Sequence, residues 1–299
     1  MKPLLNKALT TVAQALPLIP KRNLLVTGSH RSGTTLLGVL LAESPEFSFV
    51  YEPFNPDYGT NLKDFVCQDC GLRIDTWFVG VNDSNKAGWY KHLKHLINAR
   101  SLRGKRSLIK DPFAYFSAEW IATQFTADVL VMIRNPRSFV SSLKKMEWPF
   151  DFKNISKQEW LMDGYLTQYK AEIENAVKTP GDIVDQGILL WNLFYDFTKQ
   201  MQEKHPGWVY LKLEDFSLNP EIEFNKVCES FGISITPSML AKLKEMTSEK
   251  NPTESKKEIV HDLNRNSKEQ NDIWKNRLTD EEAQRIQIKT EKVRKYFEY

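Results

Sequence analysis

The sequence has few of the features that mark several large classes of protein. Its three cysteines are few and odd in number, which excludes a disulfide framework. No apolar run approaches the length of a membrane span, and a net charge of +3 is too weak to indicate binding to nucleic acid. Repeats and low-complexity tracts are also missing. With 299 residues, 41% hydrophobic and 26% charged, the chain is expected to be globular.

The N-terminal residues also lack a feature, namely the uninterrupted apolar core that a signal peptide needs. Apolar residues from Met1 to Pro20 are scattered and are separated by Lys7 and other polar residues. We therefore interpret residues 1–22 as an N-terminal extension and expect a cytoplasmic location. Residues 23–299 are predicted to form a single domain with an insertion at about 55–105.

Strand-like and helix-like segments alternate along the chain, which predicts an α/β fold. Such alternation is typical of a mostly parallel sheet with helices on both faces, here with five strands. The predicted strands lie near 23–28, 48–51, 107–110, 129–134 and 208–213. The predicted helices lie at 34–43, 116–125, 136–145, 157–176, 182–204, 220–231, 236–247 and 279–296.

The first predicted strand runs into a turn bounded by Gly28 and Gly33, and a helix follows at once. In this geometry the free N–H groups and the positive end of the helix dipole converge on an anion. The spacing of the glycines matches a Walker A loop, but Thr34 stands where that loop has its lysine. A cation is instead present at Arg31. The loop therefore predicts binding of a phosphate-like group without Mg-nucleotide hydrolysis.

A second anion-binding segment follows a continuous apolar run at 129–133, which is typical of a buried strand. Arg134 comes at its end, where ligands bind in open α/β sheets. Asn135 and Pro136 suit the N-cap and first position of a helix. Ser142 lies about two helical turns further on, so that Arg134 and Ser142 are expected to share one anion.

A Gly-Thr-Thr loop near the N-terminus, followed about a hundred residues later by Arg134 and Ser142, resembles the sulfotransferases. This resemblance implies a P-loop-like sulfotransferase fold and a donor, 3'-phosphoadenosine 5'-phosphosulfate (PAPS), that leaves as PAP. It also implies that Arg134 and Ser142 hold the 3'-phosphate. The residues that it implies for the 5'-phosphosulfate are Arg31, Ser32, Gly33, Thr34 and Thr35.

The resemblance continues at Lys110, which ends a predicted strand, and at Ile273–Thr279, which is similar to a Trp-Lys-Asn element of the family. The cytosolic branch carries Arg-Lys-Gly before that element, but the glycines are missing here. Arg265 and Lys268 remain candidates for the 3'-phosphate, and the alternative is that they are solvated loop charges. The resemblance implies no metal.

Sulfuryl transfer builds negative charge on the leaving oxygen, and fixed cations stabilise it. Arg31 and Lys110 are the candidates for this role. The cytosolic branch has a histidine base where this chain has Pro112. We predict Glu52 as the base because it follows a predicted buried strand and because Tyr-Glu-Pro is similar to carbohydrate sulfotransferases. Alternatively, Glu52 only forms an ion pair with Arg31 or accepts from a loop N–H.

The reserve candidates for the base are Asp111 and His30, and Asp111 has the alternative role of capping a turn. The acceptor is expected to be a hydroxyl or amine of a carbohydrate or small molecule. The aromatic residues that we expect to line its pocket, or else to fill a local core, are Trp77, Phe78, Trp89, Tyr90, Trp148 and Phe150.

Two other interpretations stay open. A zinc site at Cys67, Cys70, His92 and His95 has suitable ligand types, although its spacing is not that of a standard finger. A P-loop kinase and a catalytically silent nucleotide-binding relative are the alternatives to a sulfotransferase.

Overall fold

The central sheet positions the helices and the turns that follow its strands. The computed structural model describes residues 22–57, 74–100, 104–254 and 263–299, without the side chains of residues 99 and 100. Within these ranges five strands form one parallel sheet in the order β2-β3-β1-β4-β5. The strands are β1 (Asn23–Gly28), β2 (Phe47–Tyr51), β3 (Arg106–Lys110), β4 (Ala127–Ile133) and β5 (Val209–Lys212).

Burial on both faces explains why the inner strands are almost continuously apolar. In β1, Leu25 pairs with Ile109 of β3 on one side and with Val129 of β4 on the other. All three side chains are essentially inaccessible to solvent. One hydrophobic cluster lies on each face of the sheet. The predicted α/β fold with a five-stranded sheet is confirmed, and the sheet is entirely parallel.

Thirteen α-helices are present in the described residues, and they connect and cover the strands. The helices before β4 are α1 (Thr34–Ala42), α2 (Lys86–Arg100) and α3 (Ala118–Gln124). Those between β4 and β5 are α4 (Pro136–Met146), α5 (Lys153–Ser156), α6 (Glu159–Asp163), α7 (Lys170–Lys178) and α8 (Ile183–Lys204). Those after β5 are α9 (Leu213–Leu218), α10 (Pro220–Ser230), α11 (Pro237–Thr247), α12 (Asp280–Lys289) and α13 (Glu291–Arg294). None of the helices in these ranges is long and apolar enough to cross a membrane.

Two long predicted helices were wrong as continuous elements. The segment 157–176 is divided into α6, a 3-10 turn and α7, with the break at Gly164, a residue of low helix propensity. The segment 279–296 breaks at Thr290, whose hydroxyl donates to the carbonyl of Ile286. Helix α2 was not predicted because its region was interpreted as an insertion, whereas it connects β2 to β3.

Candidate active site

The turn after β1 requires unusual backbone conformations. Gly28 has φ +147°, and a Cβ there would lie 2.5 Å from the carbonyl oxygen of Met132. Gly33 has φ +92° at the N-cap of α1. Arg31 has φ +63° although it carries a side chain. Left-handed backbone at a non-glycine residue is costly and is concentrated at functional sites. The turn therefore places the first N–H groups of α1 and the Arg31 side chain at the carboxyl edge of the sheet.

The turn after β4 lies beside the first one. The Asn135 side chain caps α4 by accepting from the N–H of Arg137 at 2.9 Å, and Pro136 occupies the first helical position. Arg134 lies between β4 and this cap, with only 8% of its surface exposed. The caps predicted from the sequence thus form, and they place Arg134 at the carboxyl edge.

Direct contacts join the two turns. The Nη1 of Arg134 donates to the carbonyl of Arg31, and the Nε of Arg31 donates to the hydroxyl of Ser142 at 3.0 Å. Ser142 therefore contacts Arg31 in this structure. Two buried polar atoms, Nε of Arg134 and Oγ of Ser138, have no partner among the described residues. Buried polar atoms are normally paired, so these two are suited to contact a ligand.

Positive charge is concentrated here. Burial, followed by the charges of Arg134, Arg277 and Arg265, lowers the pKa of Arg31 to about 10. Burial also lowers the pKa of Arg134, although nearby Glu214 opposes the effect. Guanidinium groups that repel one another in a cavity make the binding of an anion favourable. The arrangement is therefore suited to a multiply charged phosphate compound.

A buried ion pair lies at the ends of β2 and β3. The Nζ of Lys110 donates to Oε1 of Glu52, and Oε2 of Glu52 accepts from the amide of Asn55 at 2.6 Å. Burial lowers the pKa of Lys110, while Glu52 acts in the opposite direction. Glu52 also has left-handed backbone, with φ +45°. The pair thus places a carboxylate and a cation together at the cavity.

The reserve bases differ in their access to the cavity. Asp111 is completely buried and accepts from the N–H groups of Phe54, Phe113 and Ala114 at 2.6–3.2 Å. It therefore braces two turns and does not line the cavity. His30 does line it, and burial together with Arg31 and Arg134 lowers the pKa of its imidazole to about 3. His30 is accordingly neutral.

One cavity of about 1010 Å³ brings most of the sequence-predicted residues together. The predicted residues that line it are Arg31, Gly33, Thr34, Thr35, Glu52, Lys110, Arg134, Ser142 and Arg265. Ser32 lies below the surface, where its hydroxyl donates to the carbonyl of Ser29. Lys268 is an exposed residue that pairs with Glu249 at 2.5 Å and does not line the cavity. Among the expected aromatic residues, Trp89 and Tyr90 lie elsewhere, stacked on Phe54 and Phe125.

The structure adds residues that the sequence analysis did not assign. Arg277 lines the cavity and pairs with Glu254 at 3.0 Å. Its only sequence signal was a position directly after the Trp-Lys-Asn element. Tyr195 on α8 contacts both turns, since its hydroxyl accepts from the N–H of Arg134 at 2.8 Å and shares a hydrogen bond with Ser29 at 3.0 Å. Trp191, one helical turn earlier, donates to the carbonyl of Arg134 at 2.9 Å.

If the cavity binds PAP, as the resemblance implies, Tyr195→Phe is expected to weaken that binding about 5- to 20-fold. The change removes the hydroxyl that joins the two turns and leaves the buried N–H of Arg134 unpaired. Calorimetry with PAP measures this effect. Tyr115→Phe is the matched control, since its buried hydroxyl bonds to Phe194 and Thr198, away from the turns. Both variants should lose stability. Equal PAP affinities in both would contradict a positioning role for Tyr195.

No cluster of three or more His, Cys, Asp or Glu side chains suited to a metal ion occurs in the described part of the chain. Cys67 and Cys70 lie outside the described residues, so zinc binding by Cys67, Cys70, His92 and His95 stays a prediction. His92 is buried, with Nε2 at 3.0 Å from the carbonyl oxygen of Pro53. This contact gives His92 a structural partner within the core.

Comparison with solved structures gives similar folds at low identity. Sulfotransferase STF9 from Mycobacterium avium has a TM-score of 0.51 at 12% identity, over 98% of this chain and 81% of that one. The sulfotransferase domain of the Synechococcus PCC 7002 olefin synthase has a TM-score of 0.49 at 14% identity, over 94% and 95%. Mouse sulfotransferase SULT7A1, complexed with PAP, has a TM-score of 0.46 at 15% identity, over 92% and 85%.

Comparison of the sequence with curated proteins and family models bears on the family of the chain. No curated protein matches the chain, but the model of the sulfotransferase family matches residues 23–237. This match spans well over half of the chain. It includes the turn after β1, the Lys110–Glu52 pair and Arg134. The chain therefore belongs to the sulfotransferase family.

Proposed function

We propose that this protein transfers a sulfuryl group from PAPS to a hydroxyl or amine of a carbohydrate or small-molecule acceptor. The observation that carries the proposal is the convergence of two anion-binding turns and a buried Lys110–Glu52 pair on one cavity. Arg31 and Arg134 supply fixed positive charge where the turns meet. The cavity has the size expected for a site that holds a large organic ligand.

The residues present fit the donor. Unpaired Nε of Arg134 and Oγ of Ser138, both buried, support a phosphate contact on one side of the cavity. The start of α1 supports a second one, since its first N–H groups have no partner within the helix. Arg134, Ser142, Arg265 and Arg277 would hold the 3'-phosphate, and the β1–α1 turn the 5'-phosphosulfate. When bound, PAPS supplies the sulfuryl group and leaves as PAP.

Three further roles in the proposed transfer are assigned to individual side chains. Arg31 and Lys110 stabilise negative charge on the leaving oxygen, and they are effective because burial keeps them poorly screened. Glu52 accepts the proton of the acceptor. Pro112 occupies the position of the histidine base of the cytosolic branch and has no group to do so. Lys268 is a weaker candidate for donor binding than Arg265, since it pairs with Glu249 outside the cavity.

PAP is expected to bind in the presence of EDTA, because Arg31, Arg134 and the N–H groups of the turn neutralise its charge without a divalent ion. Calorimetry measures this binding, with Mg-ATP as the comparison ligand. An absolute requirement for Mg²⁺, or preferential stabilisation by Mg-ATP, would instead favour a P-loop phosphotransferase.

Transfer of labelled sulfate from PAPS then separates an active enzyme from a silent nucleotide-binding relative. Binding of PAP without transfer to any hydroxyl or amine in a broad acceptor panel would support the silent relative. Under the active proposal, residues 23–299 act as one catalytic domain. The cytoplasmic location stays a prediction.

A further inference from the structure

The cavity that Glu52 and Lys110 line is also lined by five aromatic residues, here called the aromatic chamber: Trp77, Phe78, Phe113, Trp148 and Phe150. Three separate segments contribute these rings. The ring centroids of Trp77 and Phe113 lie 4.7 Å apart, and Phe78 lies 5.3 Å from Phe113 and 5.8 Å from Phe150. These four rings are in contact and, with Trp148 two residues before Phe150 in the chain, form an aromatic wall.

Part of this wall is not covered by the protein. Trp148 is 37% exposed, and Trp77, Phe113 and Phe150 are only partly buried. The wall adjoins the donor site, because the guanidinium of Arg31 lies over the Trp148 ring at 5.5 Å. Apolar surface that remains accessible beside reactive groups favours a ligand with an apolar surface.

Phe78 packs against His30, an uncharged side chain whose buried Nδ1 has no partner among the described residues. Phe78 has left-handed backbone, with φ +55°, a costly conformation for an aromatic residue. Its ring packs 5.3 Å from the imidazole of His30. Since burial keeps that imidazole neutral, His30 adds no charge to this end of the cavity.

Two of the polar residues that line the cavity, Asn55 and Asn154, already have partners within the protein. Asn55 donates to Glu52 and accepts from the N–H of Asp57 at 2.9 Å. Asn154 accepts from the N–H of Trp77 at 3.1 Å and donates to the carbonyl of Asp151 at 2.8 Å. A sugar brings several hydroxyl groups, and each hydroxyl that loses water without finding a partner costs free energy. These asparagines offer such hydroxyls little replacement.

The carbohydrate expectation came from Tyr51-Glu52-Pro53, but only Glu52 of these three residues lines the cavity. Tyr51 instead lies against Lys110, whose Nζ is 4.5 Å from its ring centroid. Within this motif, Glu52 is the proposed base and Tyr51 contacts its ion-pair partner, Lys110. It provides no acceptor-binding surface of its own.

We propose that the acceptor is an alcohol on an apolar or aromatic skeleton, with its hydroxyl at Glu52 and its skeleton against the aromatic wall. This inference rests on the proposed sulfotransferase function. It assigns Trp77 and Phe113 as residues that determine acceptor specificity. A polyhydroxylated sugar gains less free energy from contact with these apolar rings.

Two probes that both carry a primary alcohol test the inference, namely 2-(2-naphthyl)ethanol and methyl β-D-glucopyranoside. Calorimetry on the complex with PAP measures binding, and labelled PAPS measures transfer. The naphthyl alcohol is expected to bind, and to react in kcat/KM, about 100-fold better, because burial of its rings contributes free energy that the glucoside lacks. Equal values, or a preference for the glucoside, would overturn the inference.

Trp77→Ala is expected to raise KM for the naphthyl alcohol about 10- to 100-fold and to leave PAP affinity unchanged, with partial rescue by Trp77→Phe. Tyr90→Ala is the matched control, because Tyr90 is a 38% exposed aromatic residue on α2 outside the cavity. An unchanged KM in Trp77→Ala with intact PAP binding would overturn the assignment of Trp77.

The same measurements separate the inference from the proposed function. If PAP does not bind, the proposed function fails. Binding of the naphthyl alcohol to the free protein, and its loss in Trp77→Ala, then still decides whether the aromatic chamber selects apolar alcohols.

Discussion

Glu52→Gln is expected to reduce sulfuryl transfer about 10²- to 10⁴-fold, the usual contribution of a positioned general base. The amide has nearly the same shape as the carboxylate but does not accept the acceptor's proton. The affinity for PAP should remain close to that of the native protein, because Glu52 contacts Lys110 and Asn55. Steady-state rates with labelled PAPS and calorimetry with PAP measure the two effects separately.

Glu52→Gln is also expected to lower the stability of the folded protein, because Glu52 forms a buried ion pair. Lys110 is buried against Glu52, so that the glutamine variant leaves a buried ammonium group with only an amide oxygen as its partner. Breaking a buried ion pair on one side typically costs about 3–5 kcal/mol, and the amide oxygen should offset part of this cost. Thermal unfolding should therefore show a lower Tm. A folded Glu52→Gln protein that turns over at a near-native rate would show that the base is another residue.

The pH dependence of the reaction rate distinguishes Glu52 from Asp111. If Glu52 is the base, Glu52→Gln removes whatever pH dependence the base itself gives to the rate. Burial, followed by the charge of Glu52, raises the pKa of Asp111 to about 7. A decrease below neutral pH that persists in Glu52→Gln would therefore be assigned to Asp111.

The raised pKa of Asp111 also has a consequence for folding. Between about pH 4 and 7 the folded state retains a proton on Asp111 that the unfolded chain releases. The stabilising contribution of this group is therefore greatest at acid pH and is lost as the pH rises towards 7.

Arg134→Ala is expected to weaken the binding of PAP by about 1.5–3 kcal/mol, the usual value of a deleted charge-assisted hydrogen bond. Adenosine 5'-phosphosulfate lacks the 3'-phosphate, so its affinity should change much less. The buried, unpaired Nε of Arg134 is the structural reason to expect this selectivity. Calorimetry with both nucleotides measures it.

Two neighbouring residues serve as comparisons for Arg134. Arg137 begins the same helix but stacks on Trp274 and does not line the cavity, so Arg137→Ala should leave both affinities unchanged. Ser142→Ala should weaken PAP more than adenosine 5'-phosphosulfate, because Ser142 is proposed to hold the 3'-phosphate. The second nucleotide should show a smaller loss, since the hydroxyl of Ser142 also holds the Arg31 side chain. Equal losses of PAP and adenosine 5'-phosphosulfate in Arg134→Ala would exclude Arg134 from contact with the 3'-phosphate.

The fold and the positions of the two turns were predictable because their signals are local. Apolar runs of strand length, followed by a glycine-bounded turn at Gly28 or by Asn135-Pro136, report how each strand ends. In a parallel sheet all strand ends meet at one edge. The sequence alone therefore placed Arg31, Lys110 and Arg134 at that edge, and it placed Glu52 beside them.

Contacts between distant segments were decided only by the tertiary structure. The pairing of Glu52 with Lys110, the bridge of Tyr195 between two turns and the approach of Arg277 each join residues far apart in the chain. Local propensity contains no information about such pairs, because packing of whole elements determines which side chains meet.

The part of the cavity proposed to bind the acceptor was the least predictable from the sequence, because it depends most on tertiary structure. Three residues that line the cavity, Arg31, Glu52 and Phe78, have left-handed backbone, which residue type does not predict. Aromatic residues in one stretch of sequence separated into a chamber wall at Trp77 and core packing at Trp89. Both residues are tryptophans, so residue type does not distinguish the one that lines the cavity from the one in the core. The sequence thus determined the fold and the sheet edge at which the proposed chemistry lies, whereas packing determined which aromatic residues line the cavity.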